Sequence, residues 1–481
     1  MLDTIVVCAH LALMLTVGLV VSGRCRARTL SEFALGGRNH SNGVLAATFF
    51  AAAMGGSATL GNAERAFRVG ITYPFVCAVG FAVADLLTAW WFAARLQRFA
   101  GCISCGDIMA RMYGRWGQIA TGVATVLMSL VGVAAQLAAL SYIGELLGLS
   151  YRWGAFLGIA TVVLYSTWGG VRSVAVTDLW QLITMLLAAA LLCLFGIVHV
   201  GGMAGLTAKV PPQHMQLFPT HDSVWQYGSL LLLFSFPFLS PPKVHRILLA
   251  HNSRQAAVCL RISALLKALL LVMTGCIGLI ALALSPNIQA NAAMPAVVQQ
   301  LLPVGLRGLA IAGLISAMMS TCDSLLHTAG IALVHDVITP LRRMSLPTQH
   351  ELLLVRCATV CLAVFCVTQV RQDVNVIDLI LRNFSIWWPT LFVPLLFGLW
   401  GVQASQTALL CCCVAGAACW LLWPYTTIAT QLPLFAALPA MLCNACVFLL
   451  VRFVQQHTRG NPAAGTNSLQ LSSTQPPEDM R

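Results

Sequence analysis

The chain has 481 residues, 59% of them hydrophobic and 9% charged, more apolar surface than a soluble domain can hide, so it reads as a polytopic membrane protein. Its net charge of +12 does not make it a nucleic-acid binder, because the basic residues stand between apolar stretches instead of forming one stripe. The 18 cysteines fall mostly inside those stretches as small apolar fillers and imply no disulfide framework; Cys102 and Cys105 form a C-x-x-C that lacks a second pair.

In chain order, thirteen helices are predicted near 2–22, 41–65, 71–96, 117–147, 151–168, 175–200, 225–239, 258–284, 304–337, 352–369, 375–400, 405–423 and 432–453. The first starts at the second residue with no basic flank or cleavage site, so it is expected to be a retained span. Lys and Arg crowd alternate loops, among them Arg24, Arg26, Arg28 and Arg38, then Arg95 to Arg115, then Lys243, Arg246, Arg254 and Arg261. That alternation predicts a plasma (inner) membrane protein with its N-terminus outside and its C-terminus in the cytoplasm. The polar tail 455–481 is expected to be disordered.

The second segment, AATFFAAAMGGSATLGNAERAFRVG, is interrupted by Gly55, Gly56 and Gly61. Paired glycines let a helix unwind at little steric cost, and unwound carbonyls at membrane depth can coordinate a cation. Close helix–helix packing is the other reading of the same glycines. Glu64 is expected at the outer edge, paired with Arg65 or Arg68. The seventh segment, LLLLFSFPFLSPPKVHR, is broken by Pro237, Pro241 and Pro242. Two interrupted helices five spans apart point to an inverted-repeat secondary transporter, with solute near Gly55, Gly56, Ser57, Phe236 and Pro237. In YSTWGGVRSVAVTDLWQ, Gly169 and Gly170 turn the chain; Asp178 then enters the sixth span, either as a helix-start residue or as part of a site.

The ninth segment carries the densest chemistry. On a helix, Ser316, Ser320, Asp323, Ser324 and His327 fall on one stripe, widened by Thr321 and Thr328. Hydroxyls can bond back to their own helix, but an intramembrane carboxylate is costly and marks a cavity, a partner or a pathway. Oxygens with one carboxylate suit a small hard cation, so this helix is expected to wall an ion site. Asp323 and His327, four residues apart, leave a proton relay open as the alternative. A transporter-like sensor is a further alternative, which would normally carry a signalling domain after the last span; no nucleophile–base pair suggests an enzyme.

FALGGRN, GNAERAFRVGI, CGDIMARMYGRWG, YSTWGGVRSVAVTDLWQ, PPKVHRILLAHNS and PAVVQQLLPVGLRGLAIAGLISAMMSTCDSLLHTA, in this order, resemble the sodium:solute symporter family. The resemblance implies an all-α polytopic protein of about thirteen transmembrane helices with a leucine-transporter-type 5+5 inverted-repeat core. It divides the chain into a first helix with its basic loop (1–40), two five-helix repeats (41–200 and 201–400), two accessory helices (401–454) and the tail. It implies sodium as the coupling ion, held by Ala51, Met54, Ala317, Ser320 and Thr321, and a further sodium or release position at Asp178, Asp323 and Ser324. The partners implied are sodium, the lipid bilayer and a small polar organic solute such as an amino acid or a carboxylate. Ala53 and Gly55 replace the aspartate and serine of the family's proline carriers, and Ala53 replaces the tryptophan of the choline branch, so neither solute follows from its determinants.

Overall fold

The structure, a computed structural model, describes residues 1–24, 27–342, 347–369, 386–402, 404–431 and 434–458. The first part of the predicted eleventh helix (375–385) and the tail from 459 lie outside the described residues. Among the described residues all regular structure is helical, and nine helices are long and apolar enough to cross a bilayer. Polar caps start many of them. Ser41, Ser104, Thr220, Asn252 and Ser405 each accept a bond from a first-turn N–H and so satisfy a donor with no helical partner.

The order begins with α1 (Leu2–Arg24), a short α2 (Leu30–Leu35) and α3 (Asn42–Ala51). Helix α3 stops at the glycines as expected: residues 52–56 are irregular, a π-helical turn covers Ser57–Gly61, and α4 (Asn62–Val69) continues. The break is held from outside. Thr274 donates to the Ala58 carbonyl at 2.8 Å, and the Asn62 amide donates to Leu271 O at 2.7 Å. Glu64 pairs with Arg68 at 3.0 Å, but it is 8% exposed and so is buried, not at an open edge.

Next come α5 (Thr72–Leu87), continued by further turns to Gln97, and α6 (Cys105–Leu146). Helix α7 (Tyr151–Val200) holds the predicted fifth and sixth helices as two legs. They are divided at Gly170 (φ 58°, ψ −155°), where a Cβ would press on the Phe33 backbone. Gly114 (φ 73°) likewise sets off the start of α6 from its long leg. Helix α8 (His221–Ser235) ends before Pro237, residues 236–240 are non-helical, and α9 (Pro241–Leu248) starts on two prolines at positions where no N–H is needed.

Helix α10 (Ser253–Leu284) and α11 (Ala293–Leu301) lead to α12 (Leu306–Ile331). Every residue of α12 from Ala310 to Ile331 is buried, which explains why its polar stripe is ringed by apolar side chains on all sides. It packs on α1, α6, α7 and α13 (Thr348–Thr368). The chain closes with α14 (Val393–Leu399), α15 (Gln406–Leu422) and α16 (Ala437–Thr458), the last two packed on each other.

Candidate functional site

Helix α12 meets the break after α3. The Ala51 carbonyl lies 3.2 Å from Thr321 Oγ1 and 3.4 Å from Ser320 Oγ, and both hydroxyls also reach the Ala317 carbonyl, at 3.2 and 3.0 Å. Met54 closes the turn, its N–H donating to Ala51 O at 3.4 Å. Each hydroxyl has one proton for two carbonyls, so this knot of oxygens holds more lone pairs than donors. That is a donor set for a hard cation. Gly55 makes the approach possible, since a Cβ there would run into Gln136 Oε1 and Thr321 Oγ1. Gly56 donates its N–H to Gln136 Oε1 at 2.7 Å, which fixes the unwound segment to α6.

The stripe on α12 divides by neighbour. Ser316 bonds His10 of α1 at 2.8 Å and Thr184 of α7 at 3.0 Å, away from the break. Thr328 bonds back to the Ser324 carbonyl at 2.7 Å. Asp323 accepts from the Tyr165 hydroxyl, and Thr48 donates to Asp178 at 2.5 Å. Arg246, 0% exposed on α9, donates to Ser324 Oγ at 2.7 Å, and its charge acts on both aspartates. Asp178 therefore sits in a buried cluster two turns into its helix leg, not at a helix start. One oxygen of each aspartate, Arg246 Nε and both ring nitrogens of His327 are buried without a hydrogen-bond partner. The His327 ring packs on Phe33 and His245, at 4.9 and 5.4 Å between centroids, and makes no hydrogen bond to Asp323.

Beside the break lies a cavity of about 130 Å³. Gly55 and Ser57 line it; Gly56, Phe236 and Pro237 do not, and Phe234 and Phe238 beside the second break take the place of the last two. Tyr73, Cys77 and Phe81 form another side, and Thr321 joins the cavity to the oxygen knot. The lining also holds a charged triad that the motif reading left unmarked: Asp85 with Lys243 at 2.6 Å and Lys267 at 2.8 Å. A single aspartate in the third apolar segment and a single lysine in the eighth were the signals that could have found it.

Away from the cavity, Asp107, His335 and Asp336 bring one ligand atom each within 4.8 Å of one another. His335 bonds Asp107 and Glu351, both at 2.9 Å, so this group acts as a clasp tying α6 and α13 to the π-helical stretch Ala332–Ile338 that continues α12.

A helical bundle in which two interrupted helices meet a buried polar one beside a cavity is the architecture of secondary transporters. The chain belongs to the sodium:solute symporter family, whose profile matches residues 33–416. It is 24% identical to sodium/proline symporter 2 of Staphylococcus saprophyticus, over 89% of this chain and 88% of that one. It is 23% identical to solute carrier family 5 member 4 of Rattus norvegicus, over 73% of this chain. The chain spans about three-fifths of the length of that rat relative and its mouse counterpart. A solved structure of a Na+-coupled sialic acid symporter superposes with a TM-score of 0.83 at 17% identity, over 94% of this chain and 98% of that one. The fold is thus of the leucine-transporter type, and the relatives are transporters rather than enzymes.

Proposed function

We propose that this protein is a sodium-coupled symporter that imports a small polar organic solute by alternating access. The observation that carries the reading is the Ala51 carbonyl facing the Ser320 and Thr321 hydroxyls across the α3 break. Sodium there would bridge the broken helix to α12, and Ala317 and Met54 would complete its shell. Asp178, Asp323 and Ser324 form an inner station, a second sodium or release position, whose unpartnered carboxylate oxygens support it. Solute occupies the adjacent cavity. Residues 41–200 and 201–400 are the two five-helix repeats of a thirteen-span bundle, with the first helix and basic loop (1–40) before them and the accessory pair (401–454) after. One sodium charge crossing 100 mV supplies about 2.3 kcal/mol, enough for roughly fifty-fold accumulation. Only tighter sodium binding to the solute-competent state makes that coupling work. Proton coupling through Asp323 and His327 has less support, since Tyr165 and not His327 holds Asp323.

The test is sodium-dependent stabilisation of the purified protein, compared with potassium, and then uptake into vesicles under separately imposed sodium and proton gradients. Changing Ser320 and Thr321 both to Ala should raise half-saturating sodium about thirtyfold, in line with roughly 1 kcal/mol for each of the two lost hydroxyl contacts. Unchanged sodium dependence would remove these hydroxyls from the site. For orientation, an impermeant thiol reagent should label a cysteine placed in the 214–222 loop of intact cells and not one placed at Asn252. The reverse pattern would invert the topology.

A further inference from the structure

We infer that the solute is a monoanion, a small carboxylate without an ammonium group, and that Lys243 and Lys267 hold its carboxylate. The inference rests on the cavity being the solute site. Asp85 is 2% exposed and accepts from both lysines, one on each oxygen, with Ser263 Oγ 3.3 Å away. The lysine side chains are themselves 12% and 4% exposed. Two ammonium groups against one carboxylate leave one buried positive charge. Each ammonium has three N–H donors, and among the described residues Asp85 is the hydrogen-bond or ion-pair partner found for each, so donors remain on both. An unbalanced buried charge is costly unless something pairs it. Both lysines line the cavity, so an anion entering there would do so.

The rest of the lining narrows the chemistry. Asp85 is the only acidic residue among the described lining residues, and its two oxygens are already engaged. Arg246 also borders the cavity, but Asp178 and Asp323 stand against its charge, so the two lysines carry the argument. An α-amino acid would bring an ammonium group that finds no free carboxylate, and a choline-like cation would meet like charge. Phe49, Phe81, Phe234 and Phe238 offer an apolar wall to the body of the solute. A neutral polyol would leave the lysine charge unpaired and set its hydroxyls against those rings. The favoured ligand is therefore an acid with a compact apolar or aromatic body.

The experiment measures melting of the purified full chain in sodium and in potassium buffers, with benzoate, nicotinate and propanoate set against benzamide, nicotinamide and propanamide. The carboxylates should raise the melting temperature and the isosteric amides should not. Lys267→Gln leaves Asp85 paired with Lys243, so the protein should fold, and half-saturating benzoate should rise about thirtyfold, as for loss of one partner of a buried charge pair. Lys243→Gln, which leaves the other lysine on Asp85, should do the same. Equal stabilisation by acids and amides would overturn the inference. So would an acid effect that survives both lysine substitutions, a full effect from chloride alone, or no response to any of the acids. The sodium reading is scored separately, from the sodium-over-potassium shift without solute and its loss when Ser320 and Thr321 are both Ala. If that shift is absent while carboxylates still stabilise, symport fails and the anion site stands; if it is present while amides match acids, the reverse holds.

Discussion

Two buried charge clusters flank the broken helices, and they are out of balance in opposite senses. Around Arg246, one guanidinium stands against two carboxyl groups, those of Asp178 and Asp323, so acidic groups outnumber the basic one. Around Asp85, one carboxylate faces Lys243 and Lys267, leaving one positive charge in excess. The clusters mirror each other in composition only: Asp85 is in direct ion pairs, whereas Arg246 bonds Ser324 and, among the described residues, acts on its two aspartates without an ion pair to either. A fully neutralised pair would hold its helices together and ask for nothing more. Under the proposed function, a cluster short of one counter-charge is finished by what binds, a cation in the first case and an anion in the second. A membrane protein that keeps both half-finished can answer to two cargoes of opposite sign.

The sharpest way to break this comparison is to remove the central ion of the first cluster. Arg246→Gln removes the buried positive charge that acts on both aspartates together with the donor to Ser324, and should cost about 3–5 kcal/mol, the range for leaving buried charge uncompensated. The loss should appear as a lower melting temperature and absent uptake, and adding Asp178→Asn should restore part of the stability. A single variant that melts like the parent would show that Arg246 neutralises nothing. The mirror experiment, Asp85→Asn, strands two lysines, one of them less deeply buried, and should cost about 3 kcal/mol. Adding Lys267→Gln to it should recover much of this, and a chemical denaturation series on the three variants reads the difference. The smallest effect belongs to Asp323→Asn, which keeps shape and its contact with Tyr165 but deletes a charge. Turnover or the sodium Hill coefficient should fall a few-fold while solute affinity holds. If transport instead loses its pH dependence and keeps its sodium response, Asp323 carries protons; if neither changes, it is only a satisfied polar group between helices.

What the sequence revealed depended on whether the signal was local. The Gly55–Gly56 break and the hydroxyl stripe on α12 are readable because a helix repeats every 3.6 residues and a glycine pair is its own punctuation. Their meeting, Ala51 against Thr321, was implied only through the family resemblance, because 270 residues separate them. Ser316 shows the limit of the stripe: it has the same residue type and face as Ser320, yet it bonds α1 and α7. Lys243 and Arg246 show a different limit. After two prolines they look like a basic cytoplasmic loop and served to orient the chain, but the structure folds them inward on α9. Nothing local distinguishes a lysine in a loop from one aimed at an aspartate far away in the chain. Phe236 and Pro237 were chosen for the break itself, while the cavity is lined by Phe234 and Phe238, since side chains on either side of a kink turn toward the space it opens.

Cys77 stands in the cavity wall near Tyr73 and Phe81, buried and with no disulfide partner. The native chain therefore carries its own reporter at the place where cargo would sit. Under the proposed alternating-access cycle, a small thiol-reactive probe reaches that buried sulfur only when the cavity opens, so its labelling rate measures how often the cavity is open. Comparing anionic and cationic probes of equal size at that single sulfur would read the electric potential inside the cavity without any transport taking place.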